Sequence, residues 1–303
     1  MAETASIDEN TVSCLDGAFD MHVHSAPDIM PRKSTDIELA QMAKNAHLGG
    51  FVIKSHYHPT AERAFLVNNT VGGTQVIGSI CLNSSVGGLN PVAVDVLGRS
   101  GGKIVWMPTV DSENEANWRN KQPGAKLPYW AVIQKELIDS GLPMPPVALK
   151  NGRNQFSEPL IQVLEIIRKR GLILATGHIA PSESIELVEF ASGLGLRKFI
   201  VTHPEFPTTD FTLEEQKKLA SWGAMLERCY TTPATGKTTW EYVLNEVEET
   251  GIGSNILSTD LGQPQAKFPV EGLREFTSRF LKDGFSVEEV RKMTVENQKE
   301  LLG

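Results

Sequence analysis

The stretch LILATGHIAPSESIELVEFASGLGLRKFIVTH, residues 172–203, decides the fold. It opens on the apolar run Leu172–Thr176, bounded by Gly171 and Gly177, which is too short for a helix and reads as a buried strand. Ser182–Ser192 carries a helical pattern, with acids in the turn after Ser182. Lys198–Thr202 is a second apolar strand. A strand, a helix and a second strand form the unit from which parallel sheets are built. Both strands run directly into a histidine, His178 and His203, 25 residues apart. One unit of spacing puts the two imidazoles side by side on one rim.

The same alternation extends in both directions. Further strands are predicted at Ala18–Val23, Gly50–Ser55, Gln75–Leu82, Lys103–Pro108, Ala224–Arg228 and Asn255–Thr259. Helices are predicted at Thr35–His47, Thr60–Asn69, Pro91–Gly98, Pro159–Arg170, Thr212–Trp222, Thr238–Glu249 and Val270–Asp283, with one or two short ones in Ser286–Gly303. Thr212 with Glu215 forms a capping-box pattern. Gly49, Gly171 and Gly223 stand where helices stop, as a left-handed terminal residue requires. Eight strands, each followed by a helix, predict an α/β fold, a (βα)8 TIM barrel forming one domain over residues 1–303. A doubly wound open sheet is the competing fold, but neither GxGxxG nor GxxxxGK[ST] occurs. Residues 111–146, after strand four, are too long for a plain loop and read as an insertion or lid, with Trp118, Arg119, Pro123, Pro128, Tyr129 and a helix near Trp130–Ser140.

Composition narrows the function classes. The 303 residues include 29 Lys and Arg against 37 Asp and Glu, a net charge of −8, which argues against a general nucleic-acid binder. No apolar run is long enough to span a membrane. The N-terminus has acids where a signal peptide needs basic and apolar regions, so a cytoplasmic location is expected. Cys14, Cys81 and Cys229 are widely spaced, form no CxxC and read as reduced thiols.

Six of the seven histidines fall at the ends of predicted strands. His22 and His24, two apart on strand one, share a face by strand alternation, and in a barrel that face is the interior. Lys54, His56 and His58 share one parity at the end of strand two; burying a lysine there is costly unless it is paired or modified. Strand eight ends at Asp260, and closure sets it beside His22 and His24. His22, His24, His56, His178, His203 and Asp260 therefore converge on a metal site at one barrel mouth. His47 lies near the end of the first helix and reads as its charge partner, outside the site.

With these residues in place, the sequence resembles the amidohydrolase superfamily of metal-dependent hydrolases, over Ala18 to Asp260. His22-Val23-His24, His178, His203 and Asp260 carry the resemblance. Lys54-Ser55-His56-Tyr57, Thr176-Gly177-His178, Thr202-His203-Pro204 and Ser258-Thr259-Asp260 are similar to an uncharacterised bacterial branch of it. Two-metal members usually supply a bridging carboxylated lysine from strand four or a nearby glutamate. Here strand four ends Trp106-Met107-Pro108-Thr109 and offers neither, so the resemblance implies Lys54 as the substitute, with Lys150 as a second candidate. His56 is similar instead to a feature of the polymerase-and-histidinol-phosphatase (PHP) barrels.

The resemblance implies a hydrolase that activates water on a divalent metal, one or two ions, Zn²⁺ first and Mn²⁺ or Fe²⁺ as alternatives. Asp260 is the expected catalytic base, and His22, His24, Lys54, His56, His178, His203 and Asp260 the expected metal ligands. The expected substrate is a small molecule with an amide, imide or lactam C–N bond. The alternatives are a PHP-type phosphoesterase, a metal-dependent decarboxylase and a non-catalytic metal-binding barrel. Trp106, Glu205 and Arg228 are candidate substrate contacts; alternation allows only one of Glu227 and Arg228 to face inward. A homo-oligomer is a further expectation drawn from the resemblance alone.

Overall fold

The computed structural model describes residues 9–121 and 128–303. Pro123 of the insertion and the first eight residues lie outside that range. Eight strands, β1 (Phe19–Val23), β2 (Gly50–Ile53), β3 (Gln75–Cys81), β4 (Ile104–Trp106), β5 (Ile173–Ala175), β6 (Phe199–Thr202), β7 (Ala224–Cys229) and β8 (Asn255–Ser258), pair in parallel in that order. Val23 and Leu261 bridge to close the ring, while the Asp260 N–H donates to the His22 carbonyl and the His24 N–H to the Leu261 carbonyl, each at 2.8 Å. The fold is a (βα)8 TIM barrel.

The helices are α1 (Glu9–Leu15), α2 (Asp36–Asn45), α3 (Ala61–Thr70), α4 (Pro91–Arg99), α5 (Glu113–Asn120), α6 (Tyr129–Asp139), α7 (Glu158–Arg170), α8 (Pro181–Gly193), α9 (Leu213–Ser221), α10 (Thr231–Ala234), α11 (Trp240–Thr250), α12 (Pro269–Lys282), α13 (Val287–Arg291) and α14 (Asn297–Leu302). The capping box at Thr212 and Glu215 starts α9. The sequence signals did not foresee α1, α5 or α10. No helix among the described residues is long and apolar enough to cross a membrane. One expectation changes at the end of α2. The left-handed residue there is His47 (φ 57), not Gly49. Gly49 is glycine for another reason: a Cβ would stand 2.5 Å from the Gly17 carbonyl oxygen.

Strand side chains divide between the inside of the barrel and the layer beneath the helices. Met21, Val52, Ile77, Ile104, Trp106, Ile173, Ala175, Ile200 and Ile256 pack along its inside. Alternate residues such as Phe51, Ile53, Val105, Leu174, Val201 and Leu226 pack outward against the helices. β1 breaks this alternation. Its register against β2 slips between Asp20 and Val23, one extra residue on the β1 side. A bulge of this kind re-aims side chains. Phe19 and Met21 join the inner cluster below it, whereas Val23 above it joins the outer core and leaves His22 and His24 to the interior. Asp20 ties the bulge to β8: its carboxylate accepts from the Thr259 hydroxyl at 2.5 Å and from the Thr259 N–H at 3.0 Å.

Between β4 and α7 the chain makes its long excursion. The Val147 N–H donates to the Asp111 carbonyl at 2.7 Å, so the excursion leaves and returns at one place. Its helix α6 covers the expected Trp130–Ser140 closely. The first turn of α5 grips the loop after β5: Ser112 Oγ donates to the His178 carbonyl at 3.0 Å, and Asn114 Nδ2 donates to the same oxygen at 3.1 Å.

Candidate metal centre

Five imidazoles form a closed ring at the C-terminal mouth. Successive ring centroids are 5.3 Å apart from His22 to His24, 5.0 Å to His56, 6.0 Å to His178, 5.0 Å to His203 and 6.1 Å back to His22. Asp260 enters beside the first two: its Oδ1 lies 3.1 Å from both His22 Nε2 and His24 Nε2. Those three donor atoms sit close enough to one another to share an ion. Lys54 Nζ lies 2.9 Å from His22 Nε2. The sequence-derived set His22, His24, Lys54, His56, His178, His203 and Asp260 is thus brought together. His58 is exposed, and Lys150 is turned away, with Nζ 2.6 Å from Glu186.

Local backbone explains how the strand ends deliver these groups. Asp260 (φ 53) and His203 (φ 26) both adopt left-handed conformations that non-glycine residues reach only under tertiary constraint. His178 follows Gly177 (φ 61), whose absent Cβ would lie 2.3 Å from the Met107 carbonyl oxygen. That close approach lets the loop fold over β4.

Two carboxylates not among the expected site residues orient the ring. Glu227 Oε2 lies 3.1 Å from His22 Nδ1, and Glu115 Oε2 lies 3.2 Å from His178 Nδ1. An ionised carboxylate can only accept, so in that state each Nδ1 carries the proton. Alternation on β7 left Glu227 and Arg228 open; the inner face belongs to Glu227. No sequence signal pointed to Glu115, because it reaches His178 from a helix of the insertion.

Electrostatics keep most of the imidazoles neutral. Burial, reinforced by Arg32, lowers His24 to about 3. Burial first, then neighbouring cations and imidazoles, holds His56, His178 and His203 well below the usual histidine range. At His22, burial and Lys54 pull down, but Asp260 and Glu227 outweigh them and the net direction is upward. Burial opposes ionisation of Asp260, yet His22 and His24 hold it well below the usual carboxylate range. Neutral imidazoles and an ionised carboxylate are the states that ligate a divalent ion.

The donor set fits such an ion. His203 Nδ1 is buried without a protein partner among the described residues, and the paired histidines present Nε2 inward. His24 is the exception. Arg32 Nη2 lies 3.3 Å from its Nδ1 and can only donate, so His24 Nε2–H faces Asp260. Loading Nε2 requires Arg32 to turn fully onto Asp28, which it already grips at 2.7 and 2.9 Å. Cys229 Sγ lies 3.8 Å from His22 Nδ1, but burial, then Glu227, raises its thiol well above the ordinary value and leaves it a poor ligand.

The three candidate substrate contacts are placed elsewhere. Trp106 is fully buried as the inner layer of β4, its ring 5.0 Å from His22, so it floors the centre rather than lining the mouth. Arg228 points outward from β7 into a buried ion cluster, 2.7 Å from Glu246 and 3.2 Å from Glu205. Glu205 is occupied by that pair, and neither residue borders the mouth. The mouth itself is a cavity of about 840 Å³ bordered by His24, Lys54, His56, His178, His203 and Asp260 at its base.

Residues 17–227 match a family described as a family of unknown function (DUF6282). No curated protein matches the chain. Solved structures with a similar fold include an amidohydrolase from Pseudomonas aeruginosa (TM-score 0.62, 13% identity, covering 96% of this chain and 97% of that one). The probable dipeptidase PvdM from Pseudomonas aeruginosa gives 0.61, 11%, 97% and 96% for the same quantities. The organophosphorus hydrolase from Deinococcus radiodurans gives 0.58, 13%, 96% and 94%. At these identities the likeness is one of fold.

Proposed function

We propose that this chain, which belongs to the family of unknown function (DUF6282), is a metal-dependent hydrolase of the amidohydrolase superfamily acting on an amide, imide or lactam C–N bond. The observation that carries this reading is the closed ring of five imidazoles with Asp260 at its edge and carboxylates behind two of its members. His22, His24 and Asp260 would hold one ion, and His178 and His203 a second, with Lys54 or His56 between them. Zn²⁺ is the first candidate, with Mn²⁺ and Fe²⁺ as alternatives. When bound, the metal supplies Lewis-acid polarisation and a lowered pKa for water.

The protein's own groups do the rest. Asp260 Oδ1 is engaged by the two histidines, Oδ2 accepts from the Thr231 hydroxyl at 3.2 Å, and the residue borders the cavity. In this reading Oδ2 takes the proton of the attacking water as the water oxygen bonds to the carbonyl carbon. The same proton then passes to the nitrogen as the C–N bond breaks. Glu227 and Glu115 hold the tautomers of His22 and His178. Pro128, Tyr129 and Trp130 of the insertion border the cavity, so we assign the described part of the insertion in 111–146 the role of a cover over the mouth.

The protein is expected to purify with one or two equivalents of a first-row divalent metal, to lose turnover of lactams or cyclic imides on chelation, and to regain it with Zn²⁺ or Mn²⁺. Less than a tenth of an equivalent, with no activity gained on addition, would sink the reading. A second reading, phosphoester hydrolysis, is favoured by one observation, the burial of His56 within the ring. Turnover of aryl phosphates but not lactams would select it. Glu227→Gln is expected to weaken metal affinity by roughly 10–100-fold, the usual cost of losing a ligand's carboxylate partner. Competition with a chromogenic chelator measures this, and an unchanged affinity would show that His22 holds no metal through Nε2.

A further inference from the structure

We infer that the substrate of this site carries a carboxylate, bound by Lys237 at the cavity wall. The inference deepens the hydrolase reading and rests on it for the word substrate. Its basis is a charge imbalance. Among the described residues that border the cavity, four side chains are cationic before any carboxylation of Lys54, namely Arg32, Lys54, Lys237 and Lys267, and Asp260 is the only acid. This stands in a chain whose net charge is −8. Clefts lined by one sign of charge select ligands of the other.

Two of the four cations are already paired with carboxylates, and a third stands at the base of the cavity. Arg32 is gripped by Asp28 at 2.7 Å, Lys267 Nζ is 2.5 Å from Glu275, and Lys54 lies at the base against His22. Lys237 has no carboxylate within ion-pair distance among the described residues. Its ammonium stands 4.3 Å from the centroid of the Phe206 ring, and Phe206 in turn packs 4.7 Å from the His203 ring. The unpaired charge is therefore one aromatic ring further out than the imidazoles.

The position is fixed by backbone rather than chance. Lys237 lies just after α10, and its N–H donates to the Thr232 carbonyl at 3.0 Å while that of Gly236 donates to Pro233 at 3.1 Å. This closes the helix end, and from there the exposed Lys237 side chain reaches the Phe206 ring. A single ammonium is a point charge without the fork of a guanidinium. Among the described residues that border the cavity, the other cation without a carboxylate partner, Lys54, lies at the base against His22. The single ammonium at the wall therefore matches a monoanionic carboxylate better than a phosphate dianion, which recruits several donors. Phe206, Tyr230 and Trp130 offer apolar wall for the body of the molecule.

Calorimetric titration with benzoate, benzamide and inorganic phosphate tests the inference on the full chain, with metal and after chelation. Benzoate is expected to bind at least tenfold more tightly than benzamide in both states. Lys237→Met should erase that preference and Lys237→Arg should keep it. Equal binding of the two probes, a preference that survives Lys237→Met or disappears on chelation, or tighter binding of phosphate than benzoate would overturn it. A protein that keeps the Lys237-dependent preference yet hydrolyses no amide, imide or lactam would lose the hydrolase reading and retain the anion site.

Discussion

Asp260→Asn is expected to lower kcat by roughly 10²–10⁴-fold, the usual cost of losing a general base, while metal affinity falls far less. Asparagine keeps the shape and one oxygen donor, and it tolerates the left-handed backbone that Asp260 adopts (φ 53). The substitution therefore removes the proton acceptor without disturbing the closure between β8 and β1, which rests on the backbone bond from Asp260 N–H to the His22 carbonyl. The imidazoles of His22 and His24 remain as donors. His22→Ala should show the reverse order, with metal occupancy failing first. Metal content and kcat measured at saturating metal separate the two. A variant Asp260→Asn that retains most of its kcat would place the base elsewhere, and Glu115, 3.2 Å from His178 and pushed up to about 7 by burial, would be the next residue to replace.

The barrel was legible because its signal is repeated. Each strand is a short apolar run ended by a polar residue, and eight such runs separated by helical patterns leave little choice of topology. The convergence of the five histidines and Asp260 was legible for the same reason, since they lie within a residue or two of strand ends, where spacing alone fixes the rim. Groups that depend on which face is inner were harder. Phe19 and Met21 of β1 are inner and would, by strict alternation, have turned His22 and His24 outward; the bulge between Asp20 and Val23 rescues them, and nothing local in the sequence announces it. On β7 the choice between Glu227 and Arg228 is settled by what each meets. Arg228 finds Glu246 and Glu205 outside the strands, and Glu227 finds His22 within. Trp106 was placed one layer too high, because inner residues of a short strand fill the barrel rather than its mouth. Glu115 and Lys237 belong to connections whose path is set by tertiary contacts, so their distance from the ring could not be read from spacing.

Lys54→Ala is expected to reduce the bound metal from two equivalents to one and to abolish most turnover, with partial recovery on adding formate, acetate or propionate. Lys54 is 1% exposed, and no carboxylate lies within ion-pair distance of it among the described residues. Its polar neighbour is His22 Nε2 at 2.9 Å, and its ammonium stands 4.4 Å from the Trp106 ring centroid. A buried ammonium so placed is costly, and dications beside it would raise that cost through like-charge repulsion. Reaction of the free amine with carbon dioxide forms an N–C bond, releases one proton and leaves a carbamate. The charge is then reversed, and two oxygens are offered where two ions need a bridge. Short carboxylic acids can occupy the space that alanine leaves and restore part of that bridge, whereas Lys54→Arg keeps the charge, cannot be carboxylated and fills the space, so added acids should not rescue it. Labelling with ¹³C-bicarbonate should give a carbamate resonance in the native protein that is absent from Lys54→Ala. If no such resonance is found and Lys54→Ala still binds two ions, the lysine is a plain amine, and His56, 5.0 Å from His24 and 6.0 Å from His178 between ring centroids, becomes the direct ligand between the two halves of the ring.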